Sequence, residues 1–237
     1  MKRWKIIIPA FLAVVSLPLA AAFLTSAGSA AGQEAGAQHD HDHGEETGER
    51  TLQVTVWDDL FEAFIEYPPP VAGVAGRFLT HLTELDGFKP RRSGAVVFVI
   101  SSGEVTRRYS VEGPERDGIY SPAIIFPEPG TWELSLMTDE GDDEHLMKIG
   151  SLKVHASSHD ILHAALPEDP VGIGFLKERQ WKMDFDTDLV RRDGSGPGKK
   201  LLIDETTLVS QGEKEFVFVQ LGGETFAKRE LELGKRE

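Results

Sequence analysis

The sequence predicts a mainly β protein: an immunoglobulin-like antiparallel β-sandwich, then a short helical and linker segment, then a C-terminal β-hairpin. Three observations lead there. Apolar and polar residues alternate in short runs between 51 and 156, turn-forming pairs separate those runs, and a late apolar run is broken by Gly222-Gly223. Period-2 alternation marks strands with one buried face. Seven or eight such strands over roughly 100 residues are the pattern of a sandwich of this kind.

The elements follow in order. Leu52, Val54 and Val56 alternate with Thr51, Gln53 and Thr55. Phe61, Ala63, Ile65 and Tyr67 repeat the pattern and stop at Pro68-Pro69-Pro70, which supply no ladder donors. Further strands are expected over 77–85, 94–100, 105–111, 119–126, 131–137 and 147–155, with Trp132, Leu134 and Leu136 facing one way. Asp86-Gly87, Ser102-Gly103, Gly113-Pro114, Pro129-Gly130 and Gly141-Asp142 supply the turns. This gives a sandwich domain over 51–156 and a linker with short helices at 156–165 and 175–181 over 157–200. Residues 201–237 then hold the hairpin, built from 216–221 and 225–233 around Gly222-Gly223. An isolated hairpin is only marginally stable in water, so this one needs a surface to pack on.

The first 31 residues read as a secretory signal peptide or an N-terminal membrane anchor. Lys2, Arg3 and Lys5 precede an apolar run over 6–24, and small residues fill 26–32. The apolar run approaches the ~20 residues that a spanning helix needs. Either outcome puts the rest of the chain outside the cytoplasm. Residues 32–50 hold no large apolar side chain and are expected to be a disordered His/Asp-rich segment.

Charge and composition narrow the function classes. The net charge of −14 argues against nucleic acid as a partner, because phosphates repel such a surface. Loss of residues 1–31, with three positive charges and no acid, brings it to about −17, a charge that attracts cations. There is no cysteine, hence no disulfide, thiolate metal site or thiol nucleophile. No Gly-x-Ser-x-Gly elbow, phosphate loop or His-Glu-x-x-His motif occurs, and the chain is not expected to be an enzyme.

Metal ligation is the chemistry that the residue pattern favours. His39, His41 and His43 alternate with Asp40 and Asp42, so several imidazoles can reach one divalent ion (Zn, Cu, Ni or Co) and hold it weakly. His155, His159 and His163 are spaced i, i+4, i+8 and on a helix would share one face, so that two of them could chelate an ion. Met137 and Met147 flank an acidic loop and read either as core fillers, the commoner role of methionine, or as a soft copper pair. His81 and His145, alone in their runs, are expected to be structural or solvated. The pairs Arg91-Arg92, Arg107-Arg108 and Arg191-Arg192 are expected on solvated faces.

Two segments carry a family resemblance. The run Phe175-Leu176-Lys177-Glu178-Arg179-Gln180-Trp181-Lys182-Met183-Asp184-Phe185 resembles the "FLKEQQWKIDF" signature of periplasmic adaptor (membrane fusion) subunits of heavy-metal-type RND efflux pumps. The tail from Val217 to Glu224, continuing to Leu233-Gly234, resembles strands near the membrane-proximal end of those adaptors. Val56-Trp57, Phe64–Pro69, Gly73–Phe78 with His81-Leu82-Thr83, and Pro127–Trp132 match their N-terminal domain. The departure is a gap: the barrel-sandwich, the helical hairpin and most of a β-barrel would lie where this chain has only about 186–202, and no heptad stretch exists.

The resemblance implies a non-enzymatic, adaptor-related component of an RND-type heavy-metal cation efflux system. Its location would be the periplasm, free or anchored to the inner membrane. Its partners would be the inner-membrane pump, full-length adaptor subunits and metal cations. A free-standing periplasmic metal-buffering protein and a non-functional adaptor fragment are the alternatives.

Overall fold

The computed structural model describes residues 6–9, 50–140, 143–188, 190–193 and 200–233. The protein is mainly β, with antiparallel sheets that form a β-sandwich and a C-terminal hairpin. One sheet runs Leu52–Trp57, Phe61–Tyr67, Leu79–Glu84, Lys89–Pro90, with Ile119–Tyr120 pairing onto Leu79–Glu84. The facing sheet runs Asp143–Val154, Gly130–Glu140, Val96–Ser102, Val105–Val111. Ala63 and Ile65 from the first sheet meet Val96, Phe98, Ile100, Trp132, Leu134 and Leu136 from the second, all buried in one apolar core. The Trp132 side is therefore the inward one, as the alternation requires.

The Phe61–Tyr67 strand is buried on both faces. Phe61, Ala63, Ile65 and Tyr67 point into the sandwich, yet Glu62 and Phe64 on the opposite face are also buried. What covers them is the C-terminal sheet, ordered Ile173–Gly174, Thr225–Leu231, Lys214–Gly222, Val209–Gln211, together with the segment leading into it. The hairpin thus has the packing surface that it needs.

Two short helices lie between the sandwich and the tail, Ser158–Leu162 and Lys177–Gln180. Ser157 caps the first: it accepts the Asp160 N–H at 3.3 Å while the Asp160 carboxylate accepts the Ser157 N–H at 3.0 Å. Of residues 1–31 only Ile6–Pro9 is described, as a strand paired with Lys200–Ile203, a pairing that removal of the leader would abolish. Among the described residues no helix is long and apolar enough to cross a membrane.

Some local expectations differ from the structure. Met137 pairs with Leu146 while Met147 pairs with Leu136, so the two thioethers project from opposite faces and do not form a copper pair. Arg91 is buried rather than solvated, and its guanidinium sits 5.2 Å from the Phe61 ring centre. Gly222-Gly223 suit a hairpin turn because glycine can take positive φ, yet neither has it. Gly223 is needed for closeness instead, since a Cβ there would lie 2.2 Å from Phe64 Cγ.

Candidate metal and docking site at the sandwich–tail junction

The outer face of the first sheet presents Gln53 and Thr55, then Glu62 and Phe64, then His81 and Thr83, with Phe64 directly opposite His81 in register. Alternation makes this the solvent face of an ordinary sandwich. Here the Lys177–Gln180 turn and the tail hairpin close over it.

Lys177 is the anchor of the closure. Its Nζ donates to Glu62 Oε1 at 2.7 Å and to Gln180 Oε1 at 2.9 Å, with the Lys177 and Glu62 side chains fully buried. The Phe88 ring centre lies 5.2 Å from the same ammonium. Burial pushes the Lys177 pKa down, and the facing Glu62 carboxylate opposes that shift. Gln220 from the tail donates to Glu62 Oε1 at 2.7 Å, so that oxygen is held from two segments. Gln180 donates to the carbonyls of Phe175 and Gly223 at 2.6 and 3.0 Å, and Gly223 N–H donates to Thr55 Oγ1 at 2.7 Å.

Trp181 ends the turn. Its indole N–H donates to Thr83 Oγ1 at 2.9 Å, and the ring fills the space above Gly118. A Cβ at Gly118, where φ is +78°, would lie 2.4 Å from the indole. Phe185 then meets Phe88, Phe175 and Phe226 edge to face, with centres 5.2 to 5.8 Å apart, the arrangement that aromatic quadrupoles favour. The residues that carry the family resemblance at 175–185 are thus the ones that fasten the tail to the sandwich.

Beside this anchor His81, Glu178 and Glu224 converge. One ligand atom from each lies within 4.8 Å of the other two, and among the described residues this is the one grouping of three such ligands. His81 is buried between Phe64, stacked at 5.3 Å, and Trp181, tilted at 6.0 Å. Its Nε2 lies 3.8 Å from Glu178 Oε1, beyond hydrogen-bond reach, and its buried Nδ1 has no partner among the described residues. The His81 ring is the largest cause holding the Glu178 carboxyl down at about 2, against the opposing effect of burial. Arg116 Nη2, 3.7 Å away, adds to the lowering. Burial pushes the Glu224 carboxyl up, although the Lys177 N–H donates to its Oε1 at 2.6 Å.

The histidines singled out from sequence are placed differently. His39, His41 and His43 lie outside the described residues. His159 and His163 stand side by side with ring centres 5.0 Å apart, both exposed. His155 is not with them: it is buried, bridged by its backbone to Val71, and precedes the Ser157 cap where the helix starts. The three do not share one helical face. His145 is structural, its Nε2 2.7 Å from Asp58 Oδ2 in the turn between the first two sandwich strands.

His81 was missed because one histidine in a strand carries no spacing signal. The neighbouring Glu62 carried no signal either, because it falls on the outward face of an alternating strand, where an acid is ordinary. Comparison with family models, with curated proteins and with solved structures finds no match to this chain.

Proposed function

We propose that the protein is a periplasmic, adaptor-related component of an RND-type heavy-metal cation efflux system, working without catalysis. One observation carries the reading. The segment that resembles the adaptor signature, Phe175–Phe185, joins the other two resembling parts, the N-terminal sandwich and the tail, through Lys177–Glu62, Gln180–Gly223 and Trp181–Thr83. Residues at the junction of two packed units are held to type by their contacts on both sides, which accounts for a recognisable signature in that place. Among the described residues there is no helical hairpin to reach an outer-membrane channel, so its role would be at the inner-membrane pump, beside full-length adaptors.

The test is affinity recovery of the tagged full chain from detergent-solubilised membranes of its own host. Recovery of an RND pump, together with increased sensitivity of a deletion strain to Zn²⁺, Cu²⁺, Ni²⁺ or Co²⁺, supports the proposal. Recovery of the chain without a pump that is present in the same extract overturns it. The His39–His43 run favours a second reading, a free-standing cation buffer, which predicts metal sensitivity without pump recovery.

A further inference from the structure

We propose that His81, Glu178 and Glu224 form a binding site for a divalent first-row transition cation of the Zn²⁺ class, bridging sandwich, signature turn and tail hairpin. The site does not depend on the adaptor reading, because its ligands and their placement are properties of the folded chain alone.

The donor set is one imidazole and two carboxylates within 4.8 Å of each other. Around a tetrahedral zinc, with ligand bonds of about 2.0–2.2 Å, ligand atoms stand about 3.4 Å apart. Contraction of roughly an ångström would close the set. The Glu178 side chain, about a third exposed, has room to make it. The Lys177 N–H donates to Glu224 Oε1 and so holds that carboxylate in place beside the site. A bound water would complete the tetrahedron.

The imidazole is the observation that points to a ligand. The ring is 97 % out of solvent, its Nδ1 has no hydrogen-bond partner among the described residues, and its Nε2 faces Glu178 Oε1 at 3.8 Å, close to the spacing of two ligands on one ion. Phe64 and Trp181 fix the ring between them, so it cannot turn away to find water. The two carboxylates add two negative charges beside that ring. Glu178 and Glu224 approach each other in a part-buried space, and the nearest guanidinium, Arg116, reaches Glu178 only from a side chain that is itself 69 % exposed. A cation replaces that loose contact with a short one.

The ligand types set the class of ion. Imidazole with carboxylate suits Zn²⁺, Co²⁺ and Ni²⁺, whereas Mg²⁺ and Ca²⁺ prefer all-oxygen shells and Cu(I) prefers sulfur. The three ligands come from residues as far apart as 81 and 224, so occupancy would clamp the tail onto the sandwich and its release would loosen that joint.

The experiment uses the full chain with His39, His41, His43, His159 and His163 all changed to Ala, in detergent where the leader is retained. Co²⁺ is titrated and followed by its visible d–d absorption, then displaced with Zn²⁺. One equivalent of bound Co²⁺ is expected. H81F and E178Q, each made in that background, are expected to weaken it by about 10–100-fold. Circular dichroism guards against misfolding, and should H81F fail to fold, the E178Q titration decides alone. A thermal midpoint raised by Zn²⁺ in the parent and unmoved in E178Q is the second readout. Absence of Co²⁺ binding in the parent, or unchanged affinity in E178Q, overturns the site. Neither result depends on whether a pump is recovered, so the two proposals fail separately.

Discussion

The Nζ of Lys177 lies 2.7 Å from the Oε1 of Glu62, and both side chains are wholly withdrawn from solvent between the sandwich and the tail. These residues are 115 positions apart. A buried pair of this kind contributes little net stability against an apolar replacement, but removal of one partner strands the other charge.

Lys177→Met is therefore expected to destabilise the protein by about 3–5 kcal/mol, and Glu62→Gln added to it recovers part of the loss. Urea unfolding of the two variants beside the parent checks this. A single variant within about 0.5 kcal/mol of the parent contradicts a buried charge pair.

Gly223→Ala is expected to lift the hairpin without harming the sandwich. The new methyl would sit 2.2 Å from Phe64 Cγ and 2.6 Å from its Cβ, and neither can retreat into the packed sheet. Overpacking of this sort costs about 1–3 kcal/mol. Proteolysis should release the tail faster, while the near-ultraviolet signal from Trp132 in the core stays. Equal protease resistance in variant and parent would mean that the two surfaces are not in contact.

Acid should weaken the junction through Glu178. Its folded pKa is held at about 2, below the usual 4.5, so its contribution to stability is present above about 4.5 and is lost as pH falls toward 2. Asp58 acts in the same direction: burial pushes its carboxyl up, but the N–H groups of Phe61 and Leu60 and the His145 ring bring it below the ordinary value. Glu224 has the opposite sign. Burial raises its folded pKa above 4.5, so protonation favours the folded state as pH falls through that value. In thermal melts from pH 7 to 2, Glu178→Gln should flatten the acid loss and Glu224→Gln should steepen it. The same slope in both variants would contradict this electrostatic assignment.

Alanine at His39, His41 and His43 should remove the weak, exchangeable uptake of Zn²⁺, Cu²⁺ or Ni²⁺ expected of the His/Asp segment. Calorimetry of the full chain at neutral pH gives the comparison. A parent whose heat survives the triple change intact has its exchangeable sites elsewhere.

The strands were legible because alternation is local: Leu52, Val54 and Val56, or Trp132, Leu134 and Leu136, declare an inward face without reference to the rest of the chain. Which outward face would be covered was not legible. Glu62 and Phe64 lie in a run that reads as half-buried, and only contacts from residues 177 to 223 make it buried on both sides. The same holds for His81, whose companions Glu178 and Glu224 arrive from about 100 and 140 positions away. Of the i, i+4, i+8 histidines, His159 and His163 stand side by side, and His155 is left out for a local reason, the Ser157 cap, which starts the helix after it. The Ser157-Ser158 pair with Asp160 carried that signal.

The docked tail is the claim on which the rest stands, and hydrogen exchange on the full chain tests it most directly. The amides of Lys214–Gly222 and Thr225–Leu231 should exchange nearly as slowly as those of Phe61–Tyr67, and should lose that protection together with 177–181 when Lys177 is changed to Met. Fast exchange throughout 214–231 in the unaltered protein, with the sandwich strands fully protected, would contradict it.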